Sequence, residues 1–344
     1  MLINIWVTNG CNMDCAYCYE GRYKKNKMLD MAGADRILSY VVSLCEKSER
    51  NDIVINYHGG EPLINFDIVK YLTCRFRDTF GNRVLFGMTT NATLLDKETA
   101  EFLADNFRYN LSVSIDGDRK THDHNRRFTG GKGTYDIVDK NVRLLLKKRN
   151  DVRARMTYTA DTVRELSLNV DHLIGMGFRV IVPVPDYSDC RWTEEHATVL
   201  EKEAFKLYMK YAENDRVRIS IVNPGFERVK GRCDAGVGEI NIDCDGSLYP
   251  CTCMVGNREF VAGTVDRPCT DKITAAVRAG EQAATDCAGC GLAHWCIGAR
   301  CKLVNRSITG EYGVPPTFIC AETNALYNAY RRYTKLHNES EKEG

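Results

Sequence analysis

Cys11-Asn12-Met13-Asp14-Cys15-Ala16-Tyr17-Cys18 decides how this chain is read. Three thiolates spaced C-x3-C-x2-C in one short loop can each hold one iron of a cubane 4Fe–4S cluster, which leaves the fourth iron open to a small molecule. A closed structural zinc site would need a fourth ligand nearby, and no Cys or His follows closely. Residues 2–7 carry the alternating, β-branched character of a strand that delivers the chain to this loop.

Moving outward, Ala34, Ile37, Leu38, Val41, Leu44 and Cys45 recur at helical spacing between Asp30 and about Ser48. Residues 53–58 read as a strand ending at Gly59-Gly60-Glu61-Pro62. Segments then alternate between helix and strand character over roughly 65–79, 83–90, 96–106, 110–116, 134–149, 152–159, 165–176 and 178–184. The rhythm predicts an α/β fold of about six βα units, a partial (β/α)6 TIM-like barrel with its site at the C-terminal ends of the strands. Polar motifs fall where that site would be. Gly59-Gly60-Glu61-Pro62, Thr89-Thr90-Asn91 and Ser114-Ile115-Asp116-Gly117 close successive strands, and His122-Asp123-His124-Asn125-Arg126 lies in the next loop. Glu61 is suited to an ammonium, Arg126 to a bidentate clamp on a carboxylate. His122 and His124 read as solvated loop residues.

Composition narrows the function classes. The 47 basic and 46 acidic side chains nearly cancel, so no bulk field draws the chain to nucleic acid or an anionic membrane. An apolar fraction of 44% with 27% charged residues describes a soluble globular protein, and no run approaches the roughly 18 apolar residues of a spanning helix. The N-terminus lacks the basic region of a signal peptide. Sixteen cysteines in tight clusters, without a secretion signal, point to metal in a reducing cytoplasmic setting.

With Tyr17 before its last cysteine, C-x3-C-x2-C followed by Gly-Gly-Glu-Pro resembles the signature of the radical S-adenosylmethionine (radical SAM) enzymes. The resemblance implies that Cys11, Cys15 and Cys18 hold the cluster. It implies that Gly59, Gly60 and Glu61 take the methionyl amino group of S-adenosylmethionine, that Asn91, Ser114 and Arg126 hold its ribose and carboxylate, and that Tyr17 lies near its adenine. Thr89 and Asp116 are weaker candidates.

After Pro183 and Pro185 the periodicity breaks, and residues 193–214 read as a connecting helix. Cysteines then resume as Cys233-x12-Gly246-x4-Cys251 and Cys287-x2-Cys290-x5-Cys296-x4-Cys301, closing with Cys320. This series resembles the SPASM extension of radical SAM enzymes, which carries two auxiliary 4Fe–4S clusters. The family's last pair is usually x3, so x4 reads as one residue added to a loop. By analogy Cys233, Cys251 and Cys301 serve the first auxiliary cluster, and Cys287, Cys290, Cys296 and Cys320 the second. A zinc ribbon also fits Cys287-x2-Cys290 in isolation. Asp245-Gly246 signals a β-hairpin. Side chains two apart on a strand share a face at about 7 Å, which makes Cys253 the candidate for the missing ligand. Cys244, at the turn about 13 Å of strand away, is not one. Cys45 and Cys74 read as core thiols, and Cys190 and Cys269 stay unassigned.

These readings divide the chain into a barrel at 1–190, a connecting segment at 191–230, a SPASM domain at 231–330 and a polar tail at 331–344, frayed from Thr334 to Gly344. The resemblance implies cleavage of S-adenosylmethionine to a 5′-deoxyadenosyl radical that abstracts hydrogen from a peptide or protein substrate. It also implies a reductant such as flavodoxin or ferredoxin. Enzymes with this extension include anaerobic sulfatase maturases and maturases that install thioether or C–C cross-links in ribosomally made peptides. The former carry an Asp, the general base, directly after the Gly-x4-Cys cysteine. Thr252 stands there in this chain, and a threonine hydroxyl is no base at ordinary pH. Cross-linking is therefore the favoured reading, formylglycine formation the alternative, and a zinc-stapled binding scaffold the non-enzyme alternative. Only ten residues precede Cys11, so leader recognition is expected on the SPASM surface or on a separate leader-binding protein.

Overall fold

The computed structural model describes residues 1–20, 26–46, 52–222, 224–230, 233, 235–283 and 285–343. In chain order the elements begin β1 Leu2–Thr8, α1 Met31–Glu46, β2 Ile53–Gly59, α2 Phe66–Phe80, β3 Val84–Thr90, α3 Lys97–Asn106 and β4 Asn110–Ser114. They continue α4 Arg119–Asn125, α5 Tyr135–Leu146, β5 Arg153–Tyr158, α6 Leu166–Met176, β6 Val180–Pro185, α7 Glu194–Tyr211 and β7 Arg218–Ile219. The last third holds β8 Glu239–Ile242, β9 Leu248–Tyr249, β10 Gly263–Thr264, β11 Arg267–Pro268, α8 Thr270–Gln282, α9 Ile297–Arg300, α10 Lys302–Thr309 and α11 Thr317–Glu343. Strands β1 to β6 each lead into a helix, the repeating unit of a partial (β/α)6 barrel. Ser48, where the first helix was expected to end, lies outside the described residues, as does residue 231, where a domain boundary was expected.

Two compact units make up the chain. The first comprises residues 1–113, 126–149 and 233–283. Its strands run in the order β9-β8-β1-β2-β3-β4, parallel from β8 to β4, with β9 antiparallel to β8. Along β1, Ile3, Ile5 and Val7 are fully buried on one face, while Asn4, Trp6 and Thr8 occupy the other. A buried polar side chain requires partners, and the second face supplies them in register. Asn56 Nδ2 donates to Asn4 Oδ1 at 2.8 Å, and Asn4 Nδ2 donates to Asn241 Oδ1 at 2.9 Å and to Glu239 Oε1 at 3.0 Å. This ladder runs across β2, β1 and β8, so the hairpin strand β8 is an integral neighbour of β1. Residues 233–283 accordingly compact with the N-terminal strands, a grouping that sequence order does not suggest.

The second unit comprises residues 114–125, 150–232 and 284–344. Its strands β5, β6 and β7 are parallel neighbours. α7 opens on a reciprocal cap between Thr193 and His196 and packs along α11. The polar tail expected from Thr334 to Gly344 is instead the continuation of α11 to Glu343. Tyr333 stacks on Tyr208 at 5.4 Å between ring centroids and donates to Glu213 at 2.7 Å, and the Arg332 guanidinium lies 4.0 Å over Phe205. Arg332 and Tyr333, just before that stretch, give α11 a packed face against Phe205, Tyr208 and Glu213. His122 is also corrected: it sits on α4, fully buried, its Nδ1 receiving the Asp116 backbone N–H at 3.5 Å.

Candidate active site at the cysteine loop

The C-terminal end of β1 opens into the cysteine loop, and β2 and β3 end beside it in the first unit. A Cβ on Gly60 would stand 2.4 Å from the Gly10 carbonyl oxygen and 2.9 Å from Cys11 Cβ. One on Gly59, whose φ is +142°, would stand 2.1 Å from the Thr8 oxygen. The two glycines therefore let the end of β2 close against the backbone that carries Cys11. Their N–H side is engaged there too, with Gly60 N donating to Thr8 O at 3.1 Å and Glu61 N to Gly10 O at 3.0 Å.

Glu61 turns its carboxylate inward. Oε1 accepts from Leu63 N at 3.0 Å and from Thr90 Oγ1 at 2.7 Å, and Oε2 accepts from Asn91 N at 2.7 Å. A carboxylate offers about four lone-pair sites, so three are occupied within the fold. Through these bonds Glu61 braces the ends of β2 and β3 together. Burial pushes its pKa up to about 6 despite those three donors.

Asn91 carries the brace onward. Its Nδ2 donates to Asn12 Oδ1 at 3.0 Å and lies 3.9 Å from Cys11 Sγ, while its Oδ1 accepts from Thr93 N and Oγ1. Asn12 Nδ2 returns to Thr93 Oγ1 at 2.8 Å. The tight turn here places Ala92 at φ 58°, held by Asn141 Nδ2 on the Ala92 carbonyl at 2.9 Å. Asn12, Thr93 and Asn141 went unnoticed in the sequence. The spacing Asn12…Asn91-x-Thr93 is too common to flag them.

Within the loop, Met13 N lies 3.4 Å from Cys11 Sγ, Cys18 N donates to Cys15 O, and Asp14 N donates to Arg127 O at 2.8 Å. That last bond brings in Arg126, buried, whose guanidinium lies 5.2 Å over the Tyr17 ring. The first unit thus gathers Cys11, Cys15, Cys18, Tyr17, Gly59, Gly60, Glu61, Asn91 and Arg126 around one loop. Thr89 is next to last in β3, whereas Ser114, the last residue of β4, belongs to the second unit. Asp116 is fully buried there and accepts from Thr157 N at 2.9 Å, which makes it a structural brace.

The later cysteines divide between the units. Cys233, Cys251 and Cys253 lie in the first. Strand β9 stops at Tyr249, and residues 252–254 form a turn of 3-10 helix. The strand spacing invoked for Cys251 and Cys253 therefore does not exist, yet the turn brings the pair together. A hydrogen bond donated by the Cys251 thiol to Cys253, then burial, holds the Cys251 thiol well above its ordinary pKa. Cys244 is buried in the hairpin turn, its thiol pushed up to about 12 by burial and by Asp243. Cys45 is half-buried, but Cys74, expected in the core, is exposed because it lies on the outer side of α2.

In the second unit Cys287, Cys290, Cys296 and Cys320 converge. Burial raises the Cys320 thiol, and the fields of Cys296, Cys287 and Cys290 raise it further. Cys290 N donates to Cys287 O across the x2 turn, and Cys296 is buried against Phe318 and Ile319. The four residues between Cys296 and Cys301 form α9, with Cys301 N donating to the Ile297 carbonyl at 2.7 Å. Among the described residues no three Cys, His, Asp or Glu side chains are grouped to share one metal ion. A tetrahedral zinc would require sulfurs about 3.8 Å apart, whereas the corners of a cubane spread its ligands wider. The fields of Cys296, Cys287 and Cys290 at Cys320 place these four thiols in one neighbourhood, and they are the residues that would hold such a cluster.

Residues 5–168 match the model of the radical SAM superfamily. An uncharacterized protein of Methanocaldococcus jannaschii, MJ0907, is 34% identical over 127 residues, 37% of this chain and 42% of that protein, so the match spans less than half the relative's length. The cysteine-type anaerobic sulfatase-maturating enzyme of Clostridium perfringens (strain 13 / Type A) is 22% identical over 271 residues, 71% of this chain and 72% of that enzyme. Among solved structures, anSMEcpe with bound AdoMet superposes with a TM-score of 0.82 at 19% identity, over 98% of this chain and 95% of that one. Streptococcus suis SuiB bound to precursor peptide SuiA gives 0.67 at 17% identity, over 93% and 75%. At these identities the superpositions establish the shared α/β fold.

Proposed function

From the match of residues 5–168 to the radical SAM superfamily, we propose that the chain is a radical SAM peptide maturase that cross-links a ribosomally made peptide. The zinc-stapled scaffold gives no reason for the braced loop at Cys11. The observation that carries the proposal is the closure of Gly59-Gly60-Glu61 and Asn91 onto that loop, beside Arg126 and Tyr17.

When bound at Cys11, Cys15 and Cys18, a 4Fe–4S cluster supplies one electron to the sulfonium of S-adenosylmethionine, yielding methionine and a 5′-deoxyadenosyl radical. The residues of this chain then have positional tasks. Gly59 and Gly60 offer approachable backbone to the methionyl group. Arg126, oriented over Tyr17, offers a fork to its carboxylate, and the Tyr17 ring a surface for the adenine. Asn91 serves the ribose edge, although it is already committed to Asn12 and Thr93, and Ser114 is assigned to the cofactor by the sequence resemblance.

In the same reading Cys287, Cys290, Cys296 and Cys320 hold one auxiliary 4Fe–4S cluster. Cys233 and Cys251, with Cys253, serve the other, to which Cys301 is assigned by the sequence resemblance. When bound there, such centres would supply an acceptor for the electron released as a new bond forms oxidatively. The peptide class rests on the relatives, one solved with a precursor peptide. A reductant such as flavodoxin or ferredoxin and a separate leader-binding protein complete the proposed partners, in the cytoplasm. No helix among the described residues is long and apolar enough to cross a membrane.

Formylglycine formation is the second reading, favoured by the maturase relatives. Against it stands Thr252, whose hydroxyl lies 3.9 Å from Cys251 Sγ where a carboxylate base is required. Anaerobic reconstitution with iron and sulfide, followed by reductant and S-adenosylmethionine, tests the proposal. 5′-Deoxyadenosine is expected, and none from Cys15→Ala. A fully iron-loaded protein that makes none overturns it. Formylglycine in a Cys-containing sulfatase peptide would select the second reading.

A further inference from the structure

Thr323 lies one helical turn after Cys320 on α11, buried, with its Oγ1 3.3 Å from the sulfur of Cys296. Between two neutral groups either atom could donate. A cysteine that ligates iron is a thiolate and has no proton to give, so the hydroxyl must then be the donor. Cys296 is the buried member of its set, packed with Phe318 and Ile319 and flanked by Trp192 and Tyr187. Water is excluded from that side, and a hydrogen bond there acts in a low dielectric where it is electrostatically strong.

Resting on the auxiliary-cluster reading above, we infer that Thr323 is a positioning residue that sets the reduction potential of the cluster held by Cys287, Cys290, Cys296 and Cys320. A reduced cluster carries one more negative charge than the oxidised one. A donor on a ligand sulfur stabilises the reduced form more and raises the potential. The hydroxyl therefore makes this centre a better electron acceptor, which suits a station that draws an electron from a substrate radical. A hydroxyl merely filling space would leave the potential unchanged.

The test uses the full-length chain, reconstituted anaerobically with iron and sulfide and titrated potentiometrically with electron paramagnetic resonance detection. The signal is assigned by its disappearance, with loss of about four iron atoms per chain, in a Cys287→Ala/Cys290→Ala double variant. Thr323→Val, of nearly the same shape, is expected to shift that midpoint to lower potential, and Thr323→Ser to leave it near the wild-type value. An unshifted Thr323→Val at full iron loading overturns the inference while leaving the cluster assignment standing. Unchanged iron and signal in the double cysteine variant overturn the assignment and the inference with it. Should Thr323→Val fail to load, the exchangeable-proton coupling at this cluster in wild type and Thr323→Ser decides. Its absence from both overturns the inference.

Discussion

Glu61 Oε2 receives the backbone N–H of Asn91 at 2.7 Å, and through that bond the end of β2 is fastened to the end of β3 next to the cysteine loop. A Gln at position 61 cannot accept on both sides, because its amide nitrogen would face a donor. Glu61→Gln is therefore expected to cost about 1–3 kcal/mol of unfolding free energy, read by urea denaturation. Iron loading at the Cys11 loop should fall with it.

Ionisation of the same residue gives a pH signature. Its folded pKa of about 6 lies above the ordinary 4.5, so the associated stability is fully present below about pH 4.5 and lost as pH rises through about 6. The gap of about 1.5, at about 1.4 kcal/mol each, amounts to about 2 kcal/mol. Denaturation curves of wild type and Glu61→Gln at pH 4.5 and 7 should show the wild type losing that much relative to the variant. Parallel behaviour would refute the buried-carboxylate account.

Gly60→Ala should abolish iron binding at Cys11, Cys15 and Cys18, since the new methyl meets backbone at 2.4 Å. Gly130→Ala, with open space around its Cβ position, is the control and should bind iron normally. Metal analysis of the two reconstituted variants makes the comparison.

The guanidinium of Arg126 over Tyr17 is expected to matter for cofactor affinity more than for folding. Arg126→Lys keeps the charge but loses the planar fork. S-Adenosylmethionine affinity, measured by equilibrium dialysis, should fall by about tenfold, the equivalent of about 1.4 kcal/mol. An unchanged affinity would remove Arg126 from the site.

Tyr333 tests the end of the chain. Tyr333→Ala removes the stack on Tyr208 and the bond to Glu213, and should destabilise the second unit by about 1–3 kcal/mol. A frayed tail would tolerate the change within about 0.5 kcal/mol.

The βα rhythm was legible because parallel strands and amphipathic helices impress periods of 2 and 3.6 on apolar residues. β1 to β6 fall within a few residues of their expected places. The first cysteine loop was legible because its spacing is local. The packed C-terminal helix was not, since Tyr330, Tyr333 and His337 are scattered among charges and their partners, Tyr208 on α7 and Glu213 just after it, lie more than a hundred residues earlier. Cys253 was singled out for a strand that ends four residues too soon, and a 3-10 turn supplied the pairing instead.

By itself the sequence determined the fold class and the chemical identity of the cysteine loop, because both depend on residues close together in the chain. Only the tertiary structure decided what Gly59, Gly60, Glu61 and Thr323 do. Two glycines admit a neighbouring backbone, Glu61 braces two strand ends, and Thr323 stands on a cysteine sulfur. Each role depends on contacts with distant parts of the chain, and a hydrogen bond or a close approach leaves no periodic trace in sequence.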